Sequence, residues 1–206
     1  MKLIYVLDPM CSWCWAFRPQ LQQFLSQHPE LELDLILGGL APDSDQPMPA
    51  PQRQQIEQIW HQIAEQTGAE FNYEFWQKNT PRRSTYPACR AVIAADRLAG
   101  KAKEMVDAIQ QAYYLRALNP SDSSTLIQLS GELGIREDEF AETLASEAVE
   151  NQFKQDLSRA RSMGISGFPA LILEINGDYH ALALGYTQCA KIEQRLSQLT
   201  AAKSNR

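Results

Sequence analysis

Two cysteines, Cys11 and Cys14, stand two residues apart in the stretch LDPMCSWCW, directly behind the apolar run Leu3-Ile4-Tyr5-Val6-Leu7. The thiolate is the reactive form of cysteine. A cysteine at the start of a helix meets unpaired backbone N–H groups and the positive end of the helix dipole, and both favour that form. Cys14 follows Cys11 by about one helical turn. This spacing suits a dithiol–disulfide cycle in which Cys11, the exposed nucleophile, forms a mixed disulfide and the more buried Cys14 resolves it. Ser12 and Trp13, between them, would set how many donors and how much water reach the Cys11 sulfur, and Trp13, at the tip, is expected in an apolar patch that meets substrates. Asp8, three residues before Cys11, could accept a proton from Cys14 or could serve turn chemistry.

Such a pair has two other possible uses. Tetrahedral metal sites need four ligands, usually from a second Cys or Cys/His pair. The sequence has no second C-x-x-C, and His28, His61 and His180 are scattered, so no metal is expected. Packing as small hydrophobes is the bland alternative; it is the expectation for Cys89 and Cys189, and it weakens for a pair at a strand-to-helix junction.

The elements that must hold the pair can be read from periodicity. Residues 2 to 7 are apolar throughout, as in a strand covered on both faces. Residues 14 to 28 carry Trp15, Phe17, Leu21, Phe24 and Leu25 at helical spacing, with Pro19 expected to kink that helix. Residues 31 to 37 alternate as a strand that stops at Gly38-Gly39. After a proline-rich connection at 41 to 51, only helical periodicity is found as far as residue 163. Strands return at 169 to 175 and 179 to 184 around Asn176-Gly177, the strongest short hairpin signal, and a last helix starts near Thr187. The order is βαβ, a helical block, then ββα.

Bulk properties exclude several classes. A chain of 206 residues can bury one core, with or without an insertion. A formal charge of −6 gives no field to attract phosphates, so nucleic acid is not an expected partner. No apolar run is long enough to cross a bilayer, and five apolar residues after Lys2 are too few for a secretory leader. The expectation is a soluble cytoplasmic protein, in a reducing compartment where a C-x-x-C is more often catalytic than structural.

The stretch YVLDPMCSWCW, Pro19 five residues beyond the second cysteine, the helical insertion and GISGFPALIL together resemble the thioredoxin-fold proteins of the DsbA type, in particular the cytoplasmic DsbA/FrnE-like branch of protein-disulfide isomerases. The resemblance covers nearly the whole chain. It implies an α/β, thioredoxin-like fold interrupted by an all-helical insertion subdomain: residues 1–40 and 164–206 form the thioredoxin-like unit and 41–163 the insertion. It also implies a cis Phe168–Pro169 bond facing Cys11, with backbone beside it that pairs with an extended substrate, and a part for Phe168 and Pro169 in substrate binding. The C-S-W-C motif lacks the histidine of the periplasmic oxidases, which removes a cation that stabilises the thiolate. YPACRAVIAADR is similar to a helix of kappa-class glutathione transferases and 2-hydroxychromene-2-carboxylate isomerases, relatives that place a serine where Cys11 stands.

The leading expectation is therefore a thiol–disulfide oxidoreductase of the reductase/isomerase type acting on protein or peptide thiols and disulfides. No cofactor is expected, with glutathione open as a co-substrate. The alternatives are a glutathione-dependent isomerase or transferase, in which Arg82 and Arg83 would bind glutathione carboxylates rather than stand solvated, and a non-enzymatic, chaperone-like adaptor.

Overall fold

The computed structural model describes residues 1–204. Its elements are β1 (Lys2–Leu7), α1 (Ser12–Gln27), β2 (Glu32–Leu37), α2 (Ala50–Thr67), α3 (Phe75–Lys78), α4 (Tyr86–Ala99), α5 (Ala102–Tyr114), α6 (Ser123–Glu132), α7 (Glu137–Leu144), α8 (Glu147–Ser162), β3 (Ala170–Ile175), β4 (Asp178–Leu184) and α9 (Cys189–Ser204). The expected βαβ, helical block, ββα order is present. Four strands form one sheet in the order β2-β1-β3-β4; β1 pairs parallel with β2 and antiparallel with β3, and β3 pairs antiparallel with β4.

The apolar run of β1 is explained by its central place. Leu3, Tyr5 and Leu7 face the main core, which includes Phe17, Leu21 and Phe24 of α1. Ile4 and Val6 face a second cluster with Ile36, Ile172 and Ala160 of α8. Both faces of the strand are thus dry, and each fully buried aliphatic side chain contributes roughly 1.5–3 kcal/mol relative to exposure. The main core is continuous from the sheet into the helices between β2 and β3, where Trp60 packs at 5.2 Å against both Tyr113 and Tyr114.

Three of the boundaries that differ from the periodicity have a local cause. Helix α1 starts at Ser12 rather than Cys14 and runs through Pro19 as one element; only one carbonyl, four residues back, loses its donor there. Helix α2 begins inside the proline-rich connection, because Pro51 sits in the first turn, where a missing N–H costs nothing. Strand β3 begins at Ala170, just beyond Pro169. The hairpin turn is as read: Asn176 and Gly177 both have positive φ, 54° and 88°, as a primed turn requires.

Candidate active site

The junction between β1 and α1 is built by Asp8. Its carbonyl accepts from the Cys11 N–H at 3.0 Å, and its side chain accepts from the Met10 N–H at 2.8 Å. This Asx-type turn delivers Cys11 in an extended conformation, φ −81° and ψ 116°, as the N-cap of α1, with the Trp15 N–H donating to the Cys11 carbonyl at 3.1 Å. The Cys11 side chain makes no capping hydrogen bond. Its thiol instead donates to the Phe168 carbonyl at 3.7 Å, across 157 positions of sequence.

That contact follows from the sheet. Antiparallel pairing sets Val6 opposite Ala170, so the chain entering β3 passes the end of β1 from which Cys11 emerges. The Phe168–Pro169 bond is cis. The Phe168 ring lies on Gly38, just past β2, so closely that a methyl group at Gly38 would stand 2.0 Å from a ring carbon. Gly38 itself is held by its N–H donating to the Leu7 carbonyl at 2.7 Å. Three strand ends thus meet at one place, and glycine at position 38 leaves the room Phe168 occupies.

Cys11 is 7% exposed and Cys14 0%. The expectation of an exposed Cys11 is corrected to a nearly buried one, because the Phe168 loop lies against it. The order of burial is as read. Trp13 is half-buried rather than free at a tip, with its ring 6.1 Å from Tyr186, and Ser12 beside it is also half-buried. Trp15 stacks on Tyr114 at 5.6 Å and donates its indole N–H to the Glu70 carbonyl at 3.0 Å.

Burial pushes the Cys14 thiol well above its ordinary pKa, and the Cys11 sulfur beside it pushes the same way; the Asp8 backbone N–H and the Tyr5 hydroxyl act in the opposite direction. Tyr5, on β1, is raised in turn by burial and by Cys14. Tyr114 is fully buried with its hydroxyl unpartnered, close enough to both sulfurs that charge on either raises its pKa after the larger effects of burial and Tyr113. Sequence reasoning missed both tyrosines. Tyr5 could have been found, since alternation along a buried strand places it on the face that α1 covers; nothing local marks Tyr114.

The Asp8 carboxylate faces away from Cys14. It accepts from the Leu40 N–H at 2.7 Å, from Thr85 Oγ1 at 2.5 Å and from the Cys89 thiol at 3.7 Å, in addition to Met10. Burial raises its pKa, with Thr85, Leu40, Met10 and Arg83 opposing. These contacts favour the turn role over proton transfer with Cys14: the side chain ties the β1–α1 turn, the exit of β2 and the start of α4 together. Arg82 and Arg83 part company. Arg82 is tied to Asp122 and to the Ser121 carbonyl, a correction to the solvated reading, while Arg83 is exposed. Among the described residues no three His, Cys, Asp or Glu side chains gather to hold a metal, and no helix is long and apolar enough to cross a membrane.

A cysteine on a helix N-cap, a second one buried a turn below it, and a cis-proline loop against the first define a class of fold. The chain belongs to the DSBA-like thioredoxin domain family, whose model matches residues 2–197. It is similar to the solved structure of a candidate protein disulfide isomerase from Nitrosomonas europaea, with 29% identity, 98% of each chain covered and a TM-score of 0.86. It is also similar to the cytosolic disulfide reductase DsbM from Pseudomonas aeruginosa, with 26% identity, 98% of this chain and 99% of that one covered and a TM-score of 0.80; DsbM has been solved with GSH as well. Among curated sequences it resembles the ClpXP adapter protein SpxH of Halalkalibacterium halodurans, 21% identical over 178 residues and 84% of this chain, and it spans 58% of that relative's length.

Proposed function

We propose that this protein is a thiol–disulfide oxidoreductase working in the direction of reduction or isomerisation, with Cys11 as nucleophile and Cys14 as resolving thiol. The Cys11 thiolate attacks a substrate disulfide, forming a Cys11–substrate disulfide and releasing the first substrate sulfur as a thiolate. Cys14 then loses its proton and attacks Cys11, releasing the second substrate sulfur and leaving a Cys11–Cys14 disulfide. Two thiols of an external reductant, for which glutathione is the candidate, restore the dithiol and leave as a disulfide.

The observation that carries this reading is the Cys11 sulfur on the α1 N-cap, 3.7 Å from the Phe168 carbonyl, with Cys14 fully buried behind it. Burial of Cys14 keeps the resolving thiol protonated in the resting pair, and the Tyr5 hydroxyl and Asp8 amide give its thiolate hydrogen bonds once the proton leaves. Ser12, Trp13, Phe168 and Pro169 line the approach to Cys11 in this reading, and backbone around Phe168 pairs with an extended substrate segment. The likeness to DsbM, described as a cytosolic disulfide reductase, supports both the direction and a cytoplasmic setting, and its GSH-bound form supports glutathione as partner.

The test is reduction of insulin by glutathione with wild type and Cys11→Ser. Loss of turnover in the variant is expected; equal rates would end the proposal. The likeness to SpxH carries a second, adapter reading. Partner binding undiminished in a Cys11→Ser, Cys14→Ser double variant, together with a wild type that reduces no disulfide, would put that reading first.

A further inference from the structure

The Phe168 carbonyl stands just beyond the end of the sheet. The β1–β3 ladder closes at Val6 and Ala170 and the β3–β4 ladder at Ala170 and Leu184, and the Gly185 N–H donates to the Pro169 carbonyl at 2.7 Å. Pro169 has no N–H to give. The Phe168 carbonyl is left to the Cys11 thiol, which donates to it at 3.7 Å. Ser166 and Gly167, which lead into Phe168, are exposed, and a methyl group at Gly167 would meet nothing within 4 Å. A chain arriving from solvent has room along this segment, whereas Cys11 behind it is 7% exposed.

The thiol–carbonyl contact uses the proton of Cys11, and the thiolate, the form that attacks a disulfide, cannot make it. A thiol is a weak donor and a backbone N–H a strong one. An extended chain laid beside Phe168 brings such N–H groups. Once one of them takes the Phe168 carbonyl, the thiol proton has lost its acceptor and passes to water. The Cys11 sulfur then bonds to the sulfur of the chain, the substrate S–S bond breaks, and the other sulfur leaves as a thiolate. In the oxidised pair Cys11 has no proton to donate, so the shielding acts on the dithiol alone.

We infer that the Phe168 carbonyl selects the substrate: it passes from the Cys11 thiol to a backbone N–H near the substrate cysteine, so that the dithiol acts on disulfides carried by extended polypeptide and discriminates against disulfides without an amide beside the sulfur. This rests on Cys11 as the nucleophile of the proposed cycle.

The probes are a linear peptide whose central cysteine is disulfide-bonded to 2-mercaptoethanol, and bis(2-hydroxyethyl) disulfide. Each is mixed with the reduced full chain in a single turnover followed by mass spectrometry, and its rate is divided by its rate with dithiothreitol. The peptide disulfide is expected to react about tenfold faster on this scale, the effect of one hydrogen bond. Ester oxygens that replace, one at a time, the amide N–H groups of the cysteine and its neighbours should remove the advantage at one position and leave it at the next, as alternation along a strand requires. Phe168→Ala removes the ring seated over Gly38 and with it the anchor of the shield, so N-ethylmaleimide, which has no N–H, should label Cys11 about tenfold faster than in wild type. Equal scaled rates for the two disulfides would overturn the inference and leave the oxidoreductase reading intact; reduction of neither would end both. An advantage that survives every ester, or unchanged labelling of a folded Phe168→Ala, would also overturn it. If Phe168→Ala does not fold, the ester series decides.

Discussion

Cys14 and Cys89 are both fully buried free thiols, one behind the N-cap of α1 and the other in the first turn of α4, and burial drives the pKa of each well upward. Their neighbours divide them. Around Cys14 the Tyr5 hydroxyl and the Asp8 backbone N–H favour the anion. Cys89 has the Asp8 carboxylate at 3.7 Å, which its thiol serves as donor and which repels a sulfur anion. Burial is the largest influence on both, and the groups facing each sulfur separate them: at Cys14 two hydrogen-bond donors oppose burial while Cys11 adds to it, and at Cys89 the Asp8 carboxylate adds to burial while the Gly39 backbone and Arg90 oppose it. In the proposed cycle the first thiol is unmasked and the second stays a donor.

The largest test of that contrast is functional. Cys14→Ser should abolish turnover and leave glutathione trapped on Cys11, visible in the intact mass, whereas Cys89→Ala should keep turnover within about twofold and cost about 1 kcal/mol of stability from one lost thiol contact. If the Cys89 variant were as inactive as the Cys14 variant, the distinction would collapse.

Next in size is Gly38→Ala, which probes the wall against which Cys11 is held. The new methyl cannot coexist with the Phe168 ring at 2.0 Å, and overpacking of this kind costs about 1–3 kcal/mol. Chemical denaturation should show that loss and should show much of it recovered when Phe168→Leu is added. A Gly38→Ala protein with unchanged stability would mean that Phe168 is not fixed there.

Tyr5→Phe sharpens the comparison at Cys14 alone. Removing the hydroxyl takes away one of the two hydrogen bonds that stabilise the Cys14 anion, so decay of the Cys11–glutathione mixed disulfide should slow by about tenfold, the value of one hydrogen bond to a charged group. The rate should recover as pH is raised, and alkylation of Cys89 in unfolded protein should not change. An unaltered pH profile would remove Tyr5 from the resolving step.

The smallest expected effect lies far from the thiols, at His28, which joins the end of α1 to Glu193 of α9 at 2.9 Å and to Glu30 at 3.2 Å. Desolvation lowers its pKa, but the bonds to Glu193 and Glu30 outweigh it and leave the imidazole above 6.5. The charged form is thus favoured by folding. Its contribution is full below the unfolded-state value and is lost as pH rises through the folded one. At a partly exposed site this amounts to less than about 1 kcal/mol. His28→Gln should flatten the stability profile across that window by this small amount and leave disulfide reduction unchanged.

The βαβ start, the helical block and the hairpin before the last helix could all be read from the chain, because each rests on local spacing: unbroken apolar residues in β1, helical periodicity behind Cys14, and Asn176-Gly177 at the turn. Placement of Cys11 at a strand-to-helix junction is likewise local. The cis Phe168–Pro169 bond came from resemblance alone, since nothing in a single X–Pro pair specifies it.

What the sequence by itself determined was the junction: a central strand, then a helix, with the C-x-x-C pair between them. Only the tertiary structure decided what faces the sulfurs. The β1–β3 pairing brought the Phe168 carbonyl to Cys11 and nearly closed it off, Gly38 admitted the Phe168 ring, and the packing of α4 set Thr85 and Cys89 against Asp8. The physical reason is that periodicity records which face of an element is buried, whereas the identity of the group across that face depends on pairings between residues far apart in the chain, on which local spacing is silent.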